Sequence, residues 1–331
     1  MITGKPIKIL SMGTYFPRQV LSSEIEKKND IPRGWAEKYS GVKQRFHVTT
    51  ETNGFMGARA AESALKKANI KLNEIDMLIS AGGTFDYPLP NQASIIKNEL
   101  TGGREFNFPT IDIDNTCLSF VAALDFVSHL LSEDGMNTVL IVSSETSSKG
   151  LNKKNWETVT LFGDAAAAAV VTYAPNTKSL YIKGEQKNYI EGVFDTIIEG
   201  GGNAKFFSDY KYDQELHSFK MNGKNLLRLA KKKVPLFMQS FFEKLPLTIH
   251  DVPIIIPHQA SKMGLSMFKS MFKFKEGQVK ETIKTHGNCI AASIPLTLAL
   301  CIEKGDVKRG DLCLLCGTSA GFSIGAQLIK F

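Results

Sequence analysis

One cysteine and two polar residues stand where nucleophilic chemistry could be done. Cys117 follows Ile111-Asp112-Ile113-Asp114-Asn115-Thr116 at an expected strand-to-helix junction. A helix N-terminus offers unpaired N–H groups and the positive end of the helix dipole, and both favour a thiolate. A thiol placed there can act as a nucleophile, although a buried structural cysteine would read the same. Pro257-His258-Gln259-Ala260-Ser261 follows the apolar run Ile254-Ile255-Ile256. The carboxyl end of a buried strand is where α/β folds place site residues; a histidine satisfied by backbone bonds is the alternative. His286-Gly287-Asn288 precedes a second apolar segment, where Asn288 suits a helix cap as well as a hydrogen-bond donor. Gly317-Thr318-Ser319-Ala320-Gly321-Phe322 is rich in small residues. Such a turn lets backbone N–H groups approach a ligand and supply oxyanion donors, and it equally fits a tight hairpin before a last strand, Ser323 to Phe331.

Cys313-Leu314-Leu315-Cys316 matches a CxxC pattern, but the segment reads as a strand. Residues three apart in a strand face opposite ways, so the pair is expected to pack in the core and not to share a metal. No GxGxxG and no phosphate-binding loop is present.

These residues need elements to hold them. Ile7 to Met12, Met77 to Ser80 and Thr138 to Ser144 read as strands, and Asn53 to Ala68 has apolar residues at helical spacing. Their alternation predicts a layered α/β fold. The order also repeats. Strand Ile75–Ser80, a helix starting at Asn115-Thr116-Cys117, Glu133-Asp134-Gly135 and strand Val139–Ser143 are matched by Val252–Pro257, Asn288-Cys289-Ile290, Lys304-Gly305-Asp306 and Leu312–Cys316. Cys117 lies 18 positions before Gly135, and Asn288 lies 17 before Gly305. This spacing pairs Cys117 with Asn288 at the starts of two equivalent helices. Both helices are small or apolar around nearly their whole circumference, which predicts burial on every side, in a central layer between two sheets. The halves are expected to divide as residues 1–175, carrying the nucleophile, and 176–331, carrying the histidine and asparagine.

Length and composition agree with such an assembly. The chain has 331 residues, 43% of them hydrophobic and 22% charged, as in folded globular proteins of about two domains. The longest apolar run, Ala165 to Val171, is far below the roughly 18 residues a membrane span needs. With no secretory-type leader at the N-terminus, a cytoplasmic protein is expected. Five cysteines form no disulfide framework. The net charge of +7 points to an acidic partner, and no interleaved aromatic and basic motif supports nucleic-acid binding. The run Lys231-Lys232-Lys233 reads as a solvated helix face.

Cys117, Phe162-Gly163-Asp164-Ala165, Pro257-His258-Gln259-Ala260, His286-Gly287-Asn288 and Ala320-Gly321-Phe322, with the early Trp35 and Ser40-Gly41-Val42, come in the order of the beta-ketoacyl-ACP synthase III family. The resemblance covers essentially the whole chain. It implies the thiolase-like five-layer αβαβα fold of two similar halves, a homodimer, and no metal or other cofactor. It implies that Cys117 takes an acyl group from acyl-ACP or acyl-CoA. His258 and Asn288 would hold the thioester oxygen of malonyl-ACP or malonyl-CoA during decarboxylation, and the backbone N–H groups of Cys117 and Ala320 would form the other oxyanion hole. Trp35, Gly223 and Ala260 would bind substrate, and Lys262, Lys269 and Lys273, with Lys275, would dock the acyl carrier protein. A decarboxylative condensation in fatty acid or polyketide-type biosynthesis is the implied reaction. The alternative is a secondary-metabolism acyltransferase or condensing enzyme with a non-malonyl acceptor. A non-catalytic carrier-binding subunit is disfavoured by the intact Cys117, His258 and Asn288 set.

The sequence departs from the family where CoA-primed members carry two arginines, here Tyr39 and Trp156. The departure favours a carrier-bound or unusual acyl donor over free CoA. Leu89, between Pro88 and Pro90, stands where some olefin- and pyrone-forming relatives carry a glutamate, so that chemistry is not expected.

Overall fold

The computed structural model describes residues 2–331. Its principal elements run β1 (Ile7–Tyr15), α1 (Asn53–Ala68), β2 (Met77–Ser80), β3 (Thr110–Asp112), α2 (Ser119–Leu130), β4 (Thr138–Glu145), β5 (Ala165–Tyr173), β6 (Leu180–Asn188), α3 (Gly223–Phe242), β7 (Ile254–Pro257), α4 (Lys262–Phe272), α5 (Ser293–Glu303), β8 (Leu312–Ser319) and β9 (Ser323–Lys330). The first sheet has strand order β1-β5-β4-β2-β3 and the second β7-β8-β9-β6. Read from the other edge, the second is β6-β9-β8-β7, the first sheet without β3. The pairings match as well. β1 and β4 flank β5 antiparallel and β2 joins β4 parallel; β6 and β8 flank β9 antiparallel and β7 joins β8 parallel. The chain therefore holds one topology twice.

The layers follow from which residues are small or apolar. α1 is capped by the Thr52 side chain, which accepts the Phe55 N–H (3.1 Å), and is ended by Asn69 in the left-handed region at φ 55°. It lays Met56, Ala60 and Ala64 on the outer face of the first sheet. The apolar run 165–171 becomes β5, buried on both faces, and its alanines let helices approach from either side. Between the sheets, Phe120 and Leu124 of α2 and Ile294 and Leu298 of α5 share one core with Ile79 and Ile141 of the first sheet and Ile256 and Leu315 of the second. α3 and α4 cover the far face of the second sheet. The sequence is α, β, α, β, α: the five-layer thiolase-like fold. Cys313 belongs to the core between the sheets and Cys316 to the outer core under α3, so the CxxC pair faces opposite ways.

Two expectations are corrected. α5 is buried around its circumference until its last turn, but α2 is not: Phe126 is 42% exposed and His129 is also at the surface. The apolar Phe126 concealed this exposed flank. The register of the repeat also differs. Thr116–Leu118 forms a single turn before α2, and Ile290–Ala292 forms the same turn before α5. Asp114 Oδ1 accepts the Thr116 N–H (2.8 Å) as Asn288 Oδ1 accepts the Ile290 N–H (2.9 Å). Ser119 Oγ accepts the Asn115 N–H (2.9 Å) as Ser293 Oγ accepts the Cys289 N–H (3.0 Å). Cys117 is thus equivalent to Ala291, and Asn288 to Asp114. The connection to the next glycine is shorter in the second half, which made the spacing pair the wrong residues. Among the described residues, no helix is long and apolar enough to cross a membrane.

Candidate active site

Cys117 sits in the turn ahead of α2, after a strained residue. Thr116 has φ +43°, a left-handed conformation that is costly for a β-branched side chain and persists only where neighbours fix it. The neighbours are Asp114, Ser119 and, from the other half, Ser319 at the end of β8, whose Oγ donates to the Asn115 carbonyl (2.7 Å) and meets Thr116 Oγ1. The N–H groups of Ala320 and of Cys117 itself lie near enough to the Cys117 sulfur to favour its thiolate. Of the five cysteines, Cys117 alone is not fully buried.

The helix terminus was expected to lower the thiol's pKa. Instead burial, followed by the Glu145 carboxyl, pushes the Cys117 thiol up to about 12; the two N–H groups pull against this and lose. The thiol is therefore protonated at neutral pH and needs a proton acceptor or a bound substrate to react. Alkylation of Cys117 by iodoacetamide should climb nearly tenfold per pH unit from about pH 7 to 10, because only the thiolate reacts. Mass spectrometry of the modified protein measures it. A rate plateau below about pH 8 would show that the helix terminus outweighs burial.

His258 and Asn288 arrive from separate segments, and the residues after His258 join them. Gln259 is fully buried; its amide donates to the Pro257 carbonyl (2.8 Å), and its oxygen accepts the N–H groups of Thr282 (3.0 Å) and Ile283 (3.1 Å). The Ala260 carbonyl accepts Asn288 Nδ2 (3.2 Å). An amide nitrogen carries two hydrogens, so one is left to offer. The Asn288 main chain is gripped by the segment containing Phe162: its N–H donates to Leu161 O, and its carbonyl accepts the Gly163 N–H, both at 3.0 Å. His258 donates its backbone N–H to Cys316 (2.8 Å). Burial alone pushes its imidazole down to about 4, so it is neutral at pH 7, and its buried Nδ1 has no partner among the described residues.

Two glycines mark how tightly the halves meet. A Cβ on Gly317 would lie 2.6 Å from the His258 Cβ and 3.5 Å from Leu118 Cδ2, next to the nucleophile. One on Gly83 would lie 3.3 Å from Thr116 Cα and 3.6 Å from Ile290 Cγ2. The Cys117 turn, His258 and the Asn288 turn thus converge where the halves touch, at the carboxyl ends of β4, β7 and β8.

The other expected site residues are placed less centrally. Ala260 touches Asn288, as above. Trp35 packs against Tyr39 (ring centroids 4.8 Å apart) and meets Trp156 edge-on (5.9 Å), so the two residues standing where arginines were expected close an aromatic group around it. Gly223 is the first residue of α3, capped by Asn222, and a Cβ there would meet Met221 Cε at 3.6 Å and none of the three central residues. Lys262, Lys269, Lys273 and Lys275 are all exposed on or just after α4, but Lys269 is paired with Glu281 (2.6 Å). Lys231 and Lys232 are exposed on α3, as a solvated face requires, whereas Lys233 is half-buried over Tyr189 and pairs with Glu191 (2.7 Å).

Gln259 and Ser319 lie within motifs read from the sequence but had no role of their own there, and Glu145 escaped the sequence reading altogether. Glu145 is fully buried and accepts hydrogen bonds from Gly83 N–H (2.8 Å), Thr84 Oγ1 (2.6 Å) and Ala291 N–H (3.3 Å). The one available signal was a carboxylate directly after the wholly buried run 138–144.

Comparison with known proteins finds two family models. That for 3-oxoacyl-[acyl-carrier-protein (ACP)] synthase III matches residues 111–186, and that for its C-terminal region matches residues 242–331. The beta-ketoacyl-[acyl-carrier-protein] synthase III of Vesicomyosocius okutanii is 30% identical over 329 residues, 99% of this chain and 100% of that protein. The enzyme of that name from Aquifex aeolicus is 28% identical, over 98% of this chain and 99% of its own length. A crystal structure of the Aquifex aeolicus 3-oxoacyl-[acyl-carrier-protein] synthase III superposes with a TM-score of 0.87 at 26% identity, covering 98% of this chain and all of that one. The priming beta-ketosynthase of the R1128 polyketide pathway shares the fold, with a TM-score of 0.87 at 24% identity.

Proposed function

Because the chain belongs to the 3-oxoacyl-[acyl-carrier-protein] synthase III family, we propose that it joins an acyl group on Cys117 to a two-carbon unit from a malonyl-carrier thioester. The observation that carries this reading is the convergence of the Cys117 sulfur, faced by two backbone N–H groups, with a neutral His258 and an Asn288 amide that keeps one hydrogen free.

The steps follow from that geometry. Cys117 sulfur attacks the donor thioester, the oxyanion is held by the Cys117 and Ala320 N–H groups, and as the donor C–S bond breaks the Cys117 proton ends on the departing sulfur, which leaves as the free thiol. Next, the malonyl unit places its thioester oxygen against His258 and Asn288. As the carboxylate departs as carbon dioxide, its bonding pair becomes an enolate whose charge gathers on that oxygen. Fixed donors strengthen there as the charge develops, which is how they accelerate the step. A neutral imidazole can donate without holding a counter-charge in the ground state. The nucleophilic carbon then attacks acyl-Cys117, and the thiolate is expelled as the new carbon–carbon bond forms. Incubation with an acyl donor and malonyl-carrier protein tests this. Equimolar carbon dioxide and 3-oxoacyl product support it, and donor consumption without carbon dioxide release would replace it with plain acyl transfer.

Lys262, Lys269 and Lys273 are read as the docking face for the acidic carrier, steering association more than setting affinity. Exposed Phe85, Tyr87 and Leu89 support burial of that edge against a second copy in a homodimer, and a cytoplasmic location completes the reading. The halves are taken to divide at 175/176, in the connection between β5 and β6. Trp35 and Ala260 are assigned to substrate contact, and Gly223 to the rim.

The aromatic group formed by Trp35, Tyr39 and Trp156 bears on the donor. In the family the two arginines contact the adenine end of CoA; an uncharged ring there cannot supply a guanidinium's charge-assisted hydrogen bond, whose loss costs about 1.5–3 kcal/mol. Free acyl-CoA should therefore load Cys117 with kcat/KM at least about tenfold below that of the same acyl group on carrier protein. Equal efficiency with both donors would show that these rings do not weaken CoA priming.

A further inference from the structure

Glu145 is a fully buried carboxyl group beside the site that the mechanism above leaves without a task. It closes β4 as Ser319 closes β8 in the repeated topology. Each of these strand ends reaches into the other half: Ser319 grips Asn115 and Thr116 before Cys117, and Glu145 grips Ala291. The turn that Glu145 grips is strained, because Ile290, a β-branched residue, is held at φ +46°. Ile290 also donates its N–H to Asn288 Oδ1 (2.9 Å), the bond that turns the Asn288 amide. The carboxylate thus fixes the residue after the strained one, and the strained one aims Asn288.

We infer that Glu145 is a positioning residue for Asn288, bracing across the junction of the halves the turn from which that amide is presented. Three observations favour this over a role at the nucleophile. The hydrogen bonds of Glu145 go to Gly83, Thr84 and Ala291, and none goes to Cys117. Burial pushes the Glu145 carboxyl up to about 8 against the pull of its three donors, and once ionised it opposes a thiolate at Cys117, being the second cause of the raised thiol. Thr84 Oγ1 already accepts from Asn53 Nδ2 (2.8 Å) and Thr146 N–H (3.1 Å), so its own proton goes to Glu145, and all three contacts are donors to the carboxylate. A glutamine here must turn its NH2 toward a donor or toward an oxygen with no acceptor site left, so Glu145→Gln, assayed above about pH 8 where the native carboxyl is ionised, tests the group while preserving its volume.

The catalytic arm of the test rests on the condensing-enzyme reading; the structural arm does not. Glu145→Gln should lower kcat for malonyl-thioester decarboxylation about tenfold, the scale of a displaced catalytic group. KM for that thioester and the rate of Cys117 acylation should stay within about twofold. Combined with Asn288→Ala it should add nothing to the loss caused by Asn288→Ala alone, since it acts through that residue. In a crystal structure of Glu145→Gln, the Ile290 N–H to Asn288 Oδ1 bond should be broken or Ile290 should leave the left-handed region. Native decarboxylation, an additive double mutant, or an unmoved Ile290–Ala292 turn would each overturn the proposal. Should Glu145→Gln not fold, Glu145→Asp carries the same measurements, and failure of both to fold would assign the residue to cohesion and overturn it as well. If the native enzyme releases no carbon dioxide, the condensing reading falls, and the crystal structure still decides whether Glu145 positions Asn288.

Discussion

Cys117→Ala should abolish covalent acyl loading, to below detection in intact-protein mass spectra after incubation with acyl-carrier or acyl-CoA donors. Cys313→Ala and Cys316→Ala should load as the native chain does. The contrast follows from placement. Cys313 and Cys316 fill opposite faces of β8 in two separate cores, and their loss removes packing worth on the order of 1 kcal/mol each, without touching the site. Cys289 lies at the position equivalent to Asn115, buried under its own turn, with its thiol pushed well above the ordinary value by burial. Only Cys117 combines partial exposure with two N–H groups directed at its sulfur. An acyl adduct on the Cys117→Ala protein would sink the assignment, whatever residue carried it.

Asn288→Ala should separate the two half-reactions. Its side chain supplies a donor to an oxygen that becomes anionic only as carbon dioxide leaves. Removal of one such donor costs about 10²–10³-fold in turnover. Acylation uses the backbone N–H groups of Cys117 and Ala320, which this substitution leaves in place, and should fall no more than a few-fold. The substitution also removes the acceptor for the Ile290 N–H. Asn288→Asp controls for this: it keeps that acceptor and replaces the donor with a negative charge, so its carbon dioxide release should be at least as low as that of the alanine variant. Carbon dioxide release and Cys117 acylation are to be measured on the same preparations. Equal losses in both would show that Asn288 does not serve decarboxylation alone.

Much of this arrangement is legible in the chain because its signals are local. α1 runs between the limits its spacing predicts, Asn53 and Ala68, and the CxxC pair could be placed on opposite faces from strand geometry alone. The repeat was visible as an order of elements, since order survives changes in loop length. Its register did not, because equivalence is carried by hydrogen bonds such as Ser293 to Cys289, and spacing cannot report them. Glu145 was hidden for a related reason. A carboxylate ending an apolar strand looks like any solvated strand terminus, and what distinguishes it is a bond to Ala291, 146 positions away. The Cys117 thiol shows the same limit from the side of energetics. The helix terminus that favours ionisation is a local feature, whereas the burial that opposes it belongs to the folded whole.

The shared core between the sheets has a consequence for how the chain is made. The first sheet is complete once Tyr173 has been synthesised, but α5, which packs into the same central layer, begins at Ser293, 120 residues later. At roughly 5–20 residues per second of translation, that interval is on the order of ten seconds. Throughout it, Ile79, Ile141, Phe120 and Leu124 have been synthesised while the partners that cover them in the native core have not. A nascent chain in this state carries a sticky apolar face and no means of hiding it alone. An uncovered apolar face invites association between unfinished chains, so the interval before Ser293 is made is the stage of synthesis most open to aggregation.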